Sequence, residues 1–166
     1  MDTKKPLVSI IMGSDTDLQI MNEAASILKE FNIPVELRIL SAHRSPYELE
    51  KFASSAVERG VKIIIAGAGG AAHLPGVTAA FTPLPVIGVP VKAKSLDGLD
   101  SLLSIVQMPS GVPVATVGIN MAKNAGILAA QILAVSDSQL LNAMLQYKKK
   151  LSEESINKNK KIVDAV

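Results

Sequence analysis

Both histidines of the chain, and one of its three arginines, fall in short segments rich in glycine, alanine and hydroxyl residues. In Ser41-Ala42-His43-Arg44 an imidazole stands next to a guanidinium. An imidazole with its ordinary pKa of about 6.5 suits proton transfer near neutral pH. Ser41 and Arg44 can both hold a phosphate, the arginine through its planar fork. The plainer alternative is a surface histidine with Arg44 in a salt bridge. Gly13-Ser14-Asp15-Thr16-Asp17 offers two hydroxyls beside the free N–H groups of a helix start, a setting that attracts anions. Its carboxylates repel phosphate, but one of them can accept from ribose hydroxyls. Helix capping by Asp15 or Thr16 accounts for the same residues.

A third segment, Gly67-Ala68-Gly69-Gly70-Ala71-Ala72-His73-Leu74-Pro75-Gly76, has almost no side-chain bulk. Such a stretch lets a planar ligand or an anion approach the backbone. His73, close to a proline that suits a first helical turn, reads equally as a helix-start residue or as a catalyst. Other chemistries fare worse. There is no Gly-Lys-Ser/Thr phosphate loop and no dinucleotide fingerprint. Two histidines without any cysteine, and without His-x-x-x-His spacing, give no metal ligand set. A Gly-x-Ser-x-Gly elbow is missing, and the third strand ends in Ala66-Gly67 rather than in an acid fit for phosphorylation.

These loops must be positioned by an alternating pattern of strands and helices. Residues 7–12 form a continuous apolar run, as in a parallel strand buried on both faces. Strands are expected at 35–40, 61–66, 86–89 and 112–117. Helices are expected after a cap at Asp15 or Thr16, with apolar positions Leu18, Met21, Ala25 and Leu28; over 46–59 (opened by Pro46 after a capping Ser45); from the glycine segment to about Phe81; and over 96–106, 121–135 and 137–150 or beyond. Five such alternations suit a three-layer, doubly wound α/β fold with a five-stranded parallel sheet, usually ordered 2-1-3-4-5. In that order the loops after strands 1, 2 and 3 meet where strand order reverses, and all three segments described above lie there.

The chain has 166 residues, 48% of them hydrophobic and 3% aromatic, with a net charge of +2. Six lysines lie in the last twenty residues against three acids, so the body carries −1. A near-neutral body with so few stacking rings lacks the basic stripe of a nucleic-acid binder. Residues 63–91 contain no charged side chain, but four prolines and five glycines interrupt them. Two buried strands joined by a tight loop explain that run better than a membrane span. A cytoplasmic protein with one domain over residues 1–150 and a solvated tail over 151–166 is expected.

Taken together, Met12-Gly13-Ser14-Asp15-Thr16-Asp17, Ser41-Ala42-His43-Arg44-Ser45-Pro46, the glycine segment 67–76 and Gln107-Met108-Pro109-Ser110-Gly111-Val112-Pro113-Val114-Ala115-Thr116-Val117 resemble the 5-(carboxyamino)imidazole ribonucleotide mutases of de novo purine synthesis. The resemblance runs from about Leu7 to Tyr147 and departs mildly at Thr16, where the family usually has serine. It implies a flavodoxin-like subunit whose C-terminal helices pack in a homo-octamer, with no cofactor or metal. The implied reaction moves a carboxyl group from an exocyclic nitrogen to C4 of an aminoimidazole ribonucleotide. Ser14 and Arg44 would then bind phosphate, with Ser41 beside them, and Asp17 the ribose. His43 would be the general acid/base, while Gly69, Gly70 and His73 enclose the imidazole and the migrating carboxyl. Direct CO2-dependent carboxylation of aminoimidazole ribonucleotide, or nucleotide binding without catalysis, are the alternatives.

Overall fold

The computed structural model describes residues 5–163; Lys4 and the last three residues of the expected tail lie outside them. Five parallel strands are ordered β2-β1-β3-β4-β5, the expected order. β1 (Val8–Met12) is buried along its whole length, and so is β4 (Val86–Val91). β3 (Ile63–Gly69) is buried except at Gly69. Continuous apolar runs are what a strand needs when helices cover both faces. α1 (Leu18–Glu30) lies on one face, where a Cβ on Gly67 would overlap Sδ of Met21. α2 (Pro46–Ser54), α3 (Leu74–Phe81) and α4 (Leu99–Val106) supply Leu49, Leu74 and Ile105 to the core on the other face, with Ile11, Ile64 and Ala66 from the sheet.

Element boundaries differ from expectation where glycine, proline or serine chemistry intervenes. β3 runs three residues further, because Gly67, Ala68 and Gly69 pair with Val89, Pro90 and Val91 of a longer β4. α2 stops at Ser54, where the Ser54 and Ser55 hydroxyls donate back to the carbonyls of Glu50 and Lys51 (both 2.7 Å) and compete with the helix. Ser45 does not cap it; its hydroxyl donates to Ser41 O and accepts from Ser41 N. The helix expected from 96 is a 3-10 turn (Leu96–Gly98) followed by α4, since Leu96, Asp97 and Gly98 all have positive φ. β5 is only Ala115–Thr116, because Pro113 has no N–H to donate and Gly111 turns the chain at φ +94°.

The chain divides into two compact units, Met1–Ala129 and Ala130–Val166. α5 (Ala122–Ala134) begins in the first, where Gly126 meets the α1 backbone: a Cβ there would lie 2.9 Å from Ala24 O. The second contains the end of α5 and the long α6 (Ser138–Val163), capped by Asp137, whose carboxylate accepts from the N–H groups of Gln139 and Leu140. Residues 148–160 of α6 are exposed. Among the described residues no helix is long and apolar enough to cross a membrane.

β2 (Val35–Ile39) is the half-exposed edge strand that leads into the His43 loop, and one carboxylate ties it down. Ser9, buried in β1 and level with Glu36 in register, donates to Glu36 Oε1 at 2.6 Å. Arg59 pairs with the same oxygen, while Arg38 Nε reaches Oε2 at 3.3 Å. Arg59 also lies over the Phe52 ring, 4.3 Å from its centroid, which links β2 to the segment after α2. Burial pushes the Glu36 carboxyl up, but the bonds from Ser9 and Arg59, the Arg59 charge and the Arg38 bond outweigh it and hold it below the ordinary value.

Two outcomes follow. A carboxyl held low in the fold stabilises above its ordinary pKa, and that contribution disappears as pH falls through the lowered value. Thermal melts between about pH 5 and pH 3 should show the wild type losing Tm more steeply than Glu36→Gln, which is already less stable at pH 7. Gly126→Ala should cost about 1–3 kcal/mol in denaturant unfolding, by forcing α5 away from α1.

Candidate active site

The three loops expected to converge do so, at the carboxyl ends of β1, β2 and β3. They line a cavity of about 390 Å³ together with Ala93, the second residue after β4. Its wall includes Ser14, Asp17, Ser41, His43, Arg44, Gly69 and His73, with Ala68, Ala71 and Leu74 as apolar lining. Gly70 does not line it; at φ +63° it turns the chain out of β3. Gly67 serves the core under Met21, and only Gly69 of the glycine run brings backbone to the cavity. Ala93 was missed in the sequence, although a position just past the carboxyl end of a strand beside β3 was the available signal.

The first loop caps itself at Ser14, not at Asp15 or Thr16. Ser14 is extended (φ −150°, ψ 156°) and its hydroxyl accepts from Thr16 N at 3.4 Å while donating to Asp15 Oδ1 at 3.0 Å. A 3-10 turn, Asp15–Asp17, then leads into α1. Asp17 is buried, with Thr16 Oγ1 donating to its Oδ1 at 3.2 Å. Burial pushes its carboxyl up, the bonds from Thr16 and Ser14 pull it down, and Asp15 adds a further upward push; the net direction is up.

The second loop is held by Ser41. Its Oγ accepts from Arg44 N (3.2 Å) and Arg44 Nε (3.4 Å), and Arg44 Nη2 donates to Gly13 O at 2.9 Å. Arg44 therefore spans from β2's loop to β1's loop, and its bonds go to neutral oxygens instead of the salt bridge that the plainer reading foresaw. Its charge is thus directed at the cavity and not spent on a carboxylate. His43 Nε2 lies 2.8 Å from His73 Nδ1, the rings nearly perpendicular at 87°. His73 occupies the N-cap position of α3, so the helix-start reading of that residue is also correct. Among the described residues no group of three or more His, Asp or Glu is arranged to hold a metal ion.

Residues 7–154 match the family described as AIR carboxylase. The chain belongs to that family. An N5-carboxyaminoimidazole ribonucleotide mutase of Pyrococcus horikoshii is 56% identical over 162 residues, covering 98% of this chain and 92% of that protein. A phosphoribosylaminoimidazole carboxylase of Saccharomyces cerevisiae is 58% identical over 158 residues, covering 95% of this chain. The chain spans only 28% of the length of that carboxylase, and likewise of the Candida glabrata carboxylase. The crystal structure of Treponema denticola PurE superposes with a TM-score of 0.85 at 32% identity, over 94% of this chain and 98% of that one. The family and the flavodoxin-like architecture expected from the sequence are both borne out.

Asp17 ties this AIR carboxylase family member's site to its stability. A carboxyl raised in the fold stabilises while protonated and loses that contribution as pH climbs through its raised pKa, so ionised Asp17 burdens the fold at neutral pH. Asp17→Asn should raise Tm at pH 7 and shrink that gain toward low pH. The same variant should weaken ribonucleotide binding about tenfold, as calorimetry would read, if its carboxylate accepts from the ribose.

Proposed function

We propose that this chain is a mutase of purine biosynthesis, converting 5-(carboxyamino)imidazole ribonucleotide to 4-carboxy-5-aminoimidazole ribonucleotide without a metal or organic cofactor. The observation that carries the reading is one cavity presenting His43, Arg44, Ser14 and Asp17 together beside uncharged Ala68, Gly69 and Ala71. Relatives named as mutases are matched over most of their length, 92% for the Pyrococcus horikoshii and Thermotoga maritima proteins. That favours the mutase reading over direct carboxylation, whose named relatives are far longer proteins.

On this reading Arg44 and Ser14 take the phosphate, with Ser41 holding Arg44 in place, and Asp17 accepts from the ribose. Protonated His43 gives its proton to the exocyclic nitrogen as the C–N bond to the carboxyl breaks and CO2 departs. The ring then turns so that nucleophilic C4 faces the trapped CO2 and the C–C bond forms. Neutral His43 removes the C4 proton, which restores aromaticity and recharges the imidazole. One group acts as acid and then as base, so the proton count closes. Gly69 and His73 bound the imidazole and the migrating carboxyl, beside the small uncharged side chains of Ala68 and Ala71.

Residues 1–150 form the working domain on this reading and 151–166 the tail, in a cytoplasmic homo-octamer. Exposed Leu99, Leu103 and Val106 on α4, and Leu141, Leu145 and Ile156 on α6, support association; the count of eight comes from the family resemblance.

His43→Asn should bind the ribonucleotide with affinity within about threefold of wild type while turnover falls by about 100-fold or more. Substantial residual turnover would remove His43 from the acid/base role. Purified protein given each nucleotide, with and without bicarbonate, separates the two reactions. Product C4-carboxylated only from aminoimidazole ribonucleotide plus bicarbonate would make the enzyme a carboxylase.

A further inference from the structure

His43 and His73 come from different elements, one from the loop after β2 and the other from the start of α3, yet their rings meet edge to face with centroids 4.9 Å apart. The 2.8 Å separation of His43 Nε2 and His73 Nδ1 is a hydrogen bond, so one proton lies between those nitrogens. His73 is the better anchored of the two. Its N–H donates to Ala71 O at 2.8 Å and its carbonyl accepts from Val77 N at 2.9 Å, so its backbone is fixed by the first turn of α3. Two fully protonated rings would set N–H against N–H across 2.8 Å. The contact therefore survives only in the neutral pair or in the pair with a single added proton.

We infer that His73 is a positioning residue for His43: its Nδ1 accepts from His43 Nε2–H, and this leaves His43 Nδ1 as the atom that exchanges protons with the substrate. The inference rests on reading His43 as the acid/base group and assigns the atom and the partner. The argument is one of proton count. As the acid, His43 is an imidazolium and carries hydrogen on both nitrogens, so the contact stands only if His73 Nδ1 is bare. When the Nδ1 proton leaves for the exocyclic nitrogen, the Nε2–H stays in place and the contact is unchanged. His43 Nδ1 is then bare and free to accept the C4 proton, and the pair regains the proton it gave. Exchange at Nε2 would break the bond twice in every turnover. The remaining charged side chains lining the cavity, Arg44 and Asp17, make no hydrogen bond to either ring, so the tautomer is set between the two histidines.

The test is 15N NMR of histidine-labelled protein, above the pH at which the imidazoles titrate, beside steady-state kinetics. Expected in the wild type are a protonated Nε2 and bare Nδ1 for His43, with the reverse for His73. His73→Leu should return His43 to a mixture of tautomers and lower kcat about tenfold, with KM within about twofold. His73→Asn places an amide oxygen where Nδ1 stood; it should restore the His43 tautomer and most of kcat. In a His43→Asn background, His73→Leu should lower kcat by a smaller factor than it does in the wild type.

A His43 ring that carries its proton on Nδ1 in the wild type would overturn the inference. So would a His43 spectrum untouched by His73→Leu, or equal impairment of the Leu and Asn variants, which would leave His73 as a wall of the cavity. Failure of the acid/base reading itself shows elsewhere, as turnover retained by His43→Asn. Both rings are exposed, and Tm unchanged by either His73 substitution checks that the fold is intact.

Discussion

Strands covered on both faces leave charge nowhere to go but their ends. β1, β3 and β4 carry Val8, Ile10, Ile11, Ile63, Ile64, Ile65, Ile87 and Val89 with almost no accessible surface, and their one buried polar side chain, Ser9, is spent on Glu36. A carboxylate or guanidinium within that core would cost several kcal/mol of desolvation. The polar chemistry therefore collects past the carboxyl ends, where each parallel strand breaks into a loop. The doubly wound order then decides which loops meet: β2 and β3 flank β1, so residues 13–17, 41–45 and 69–73 share one rim.

That constraint explains what could be read from the sequence. A six-residue apolar run at 7–12, an uncharged stretch at 63–91 and the placing of both histidines past strand ends are direct marks of a buried parallel sheet. Where reading failed, a local bond or steric contact had the final word. The glycine run looked like loop, yet Gly67 pairs with Val89 in the strand, and it is glycine because Met21 occupies the space a side chain would need, a contact from α1 across forty-odd residues of sequence. Ser45 looked like a cap until Ser41 claimed its hydroxyl. The positive-φ residues Leu96, Asp97 and Gly98 replace the start of an apparently continuous helix; Ser101 holds that bend by donating to Gly98 O and Val91 O, and periodicity carries no sign of it.

The site was legible as a list of residues more than as a set of relations. His43, Arg44 and Ser14 stand out by type and position. That Arg44 reaches Gly13 O, or that His43 faces His73, depends on how close loops come that lie 31 and 30 residues apart in the chain. The brace matters electrostatically. Arg44 bonds to Gly13 O and Ser41 Oγ, both neutral, so its charge is oriented without being neutralised. A near-neutral body can then hold a phosphate at one point while Asp17, buried beside it, remains an acceptor that costs the fold some stability.

Dryness is the remaining demand. On the proposed reading CO2 must stay beside C4 while the ring turns, yet His43, Arg44, Ala71 and His73 are all exposed on the single chain. Of the cavity's apolar lining, Ala68 and Leu74 are themselves buried. Closing it with charged surface would pull water in with the charges; closing it with an apolar neighbour would not. The same chain carries exposed Leu96, Leu99, Leu103 and Val106 along the turn and helix that follow β4, immediately after the cavity residue Ala93. An enzyme that retains CO2 on this fold thus has reason to associate. Covering that apolar stripe and excluding water from the histidine pair are, on the proposed reading, two results of one assembly.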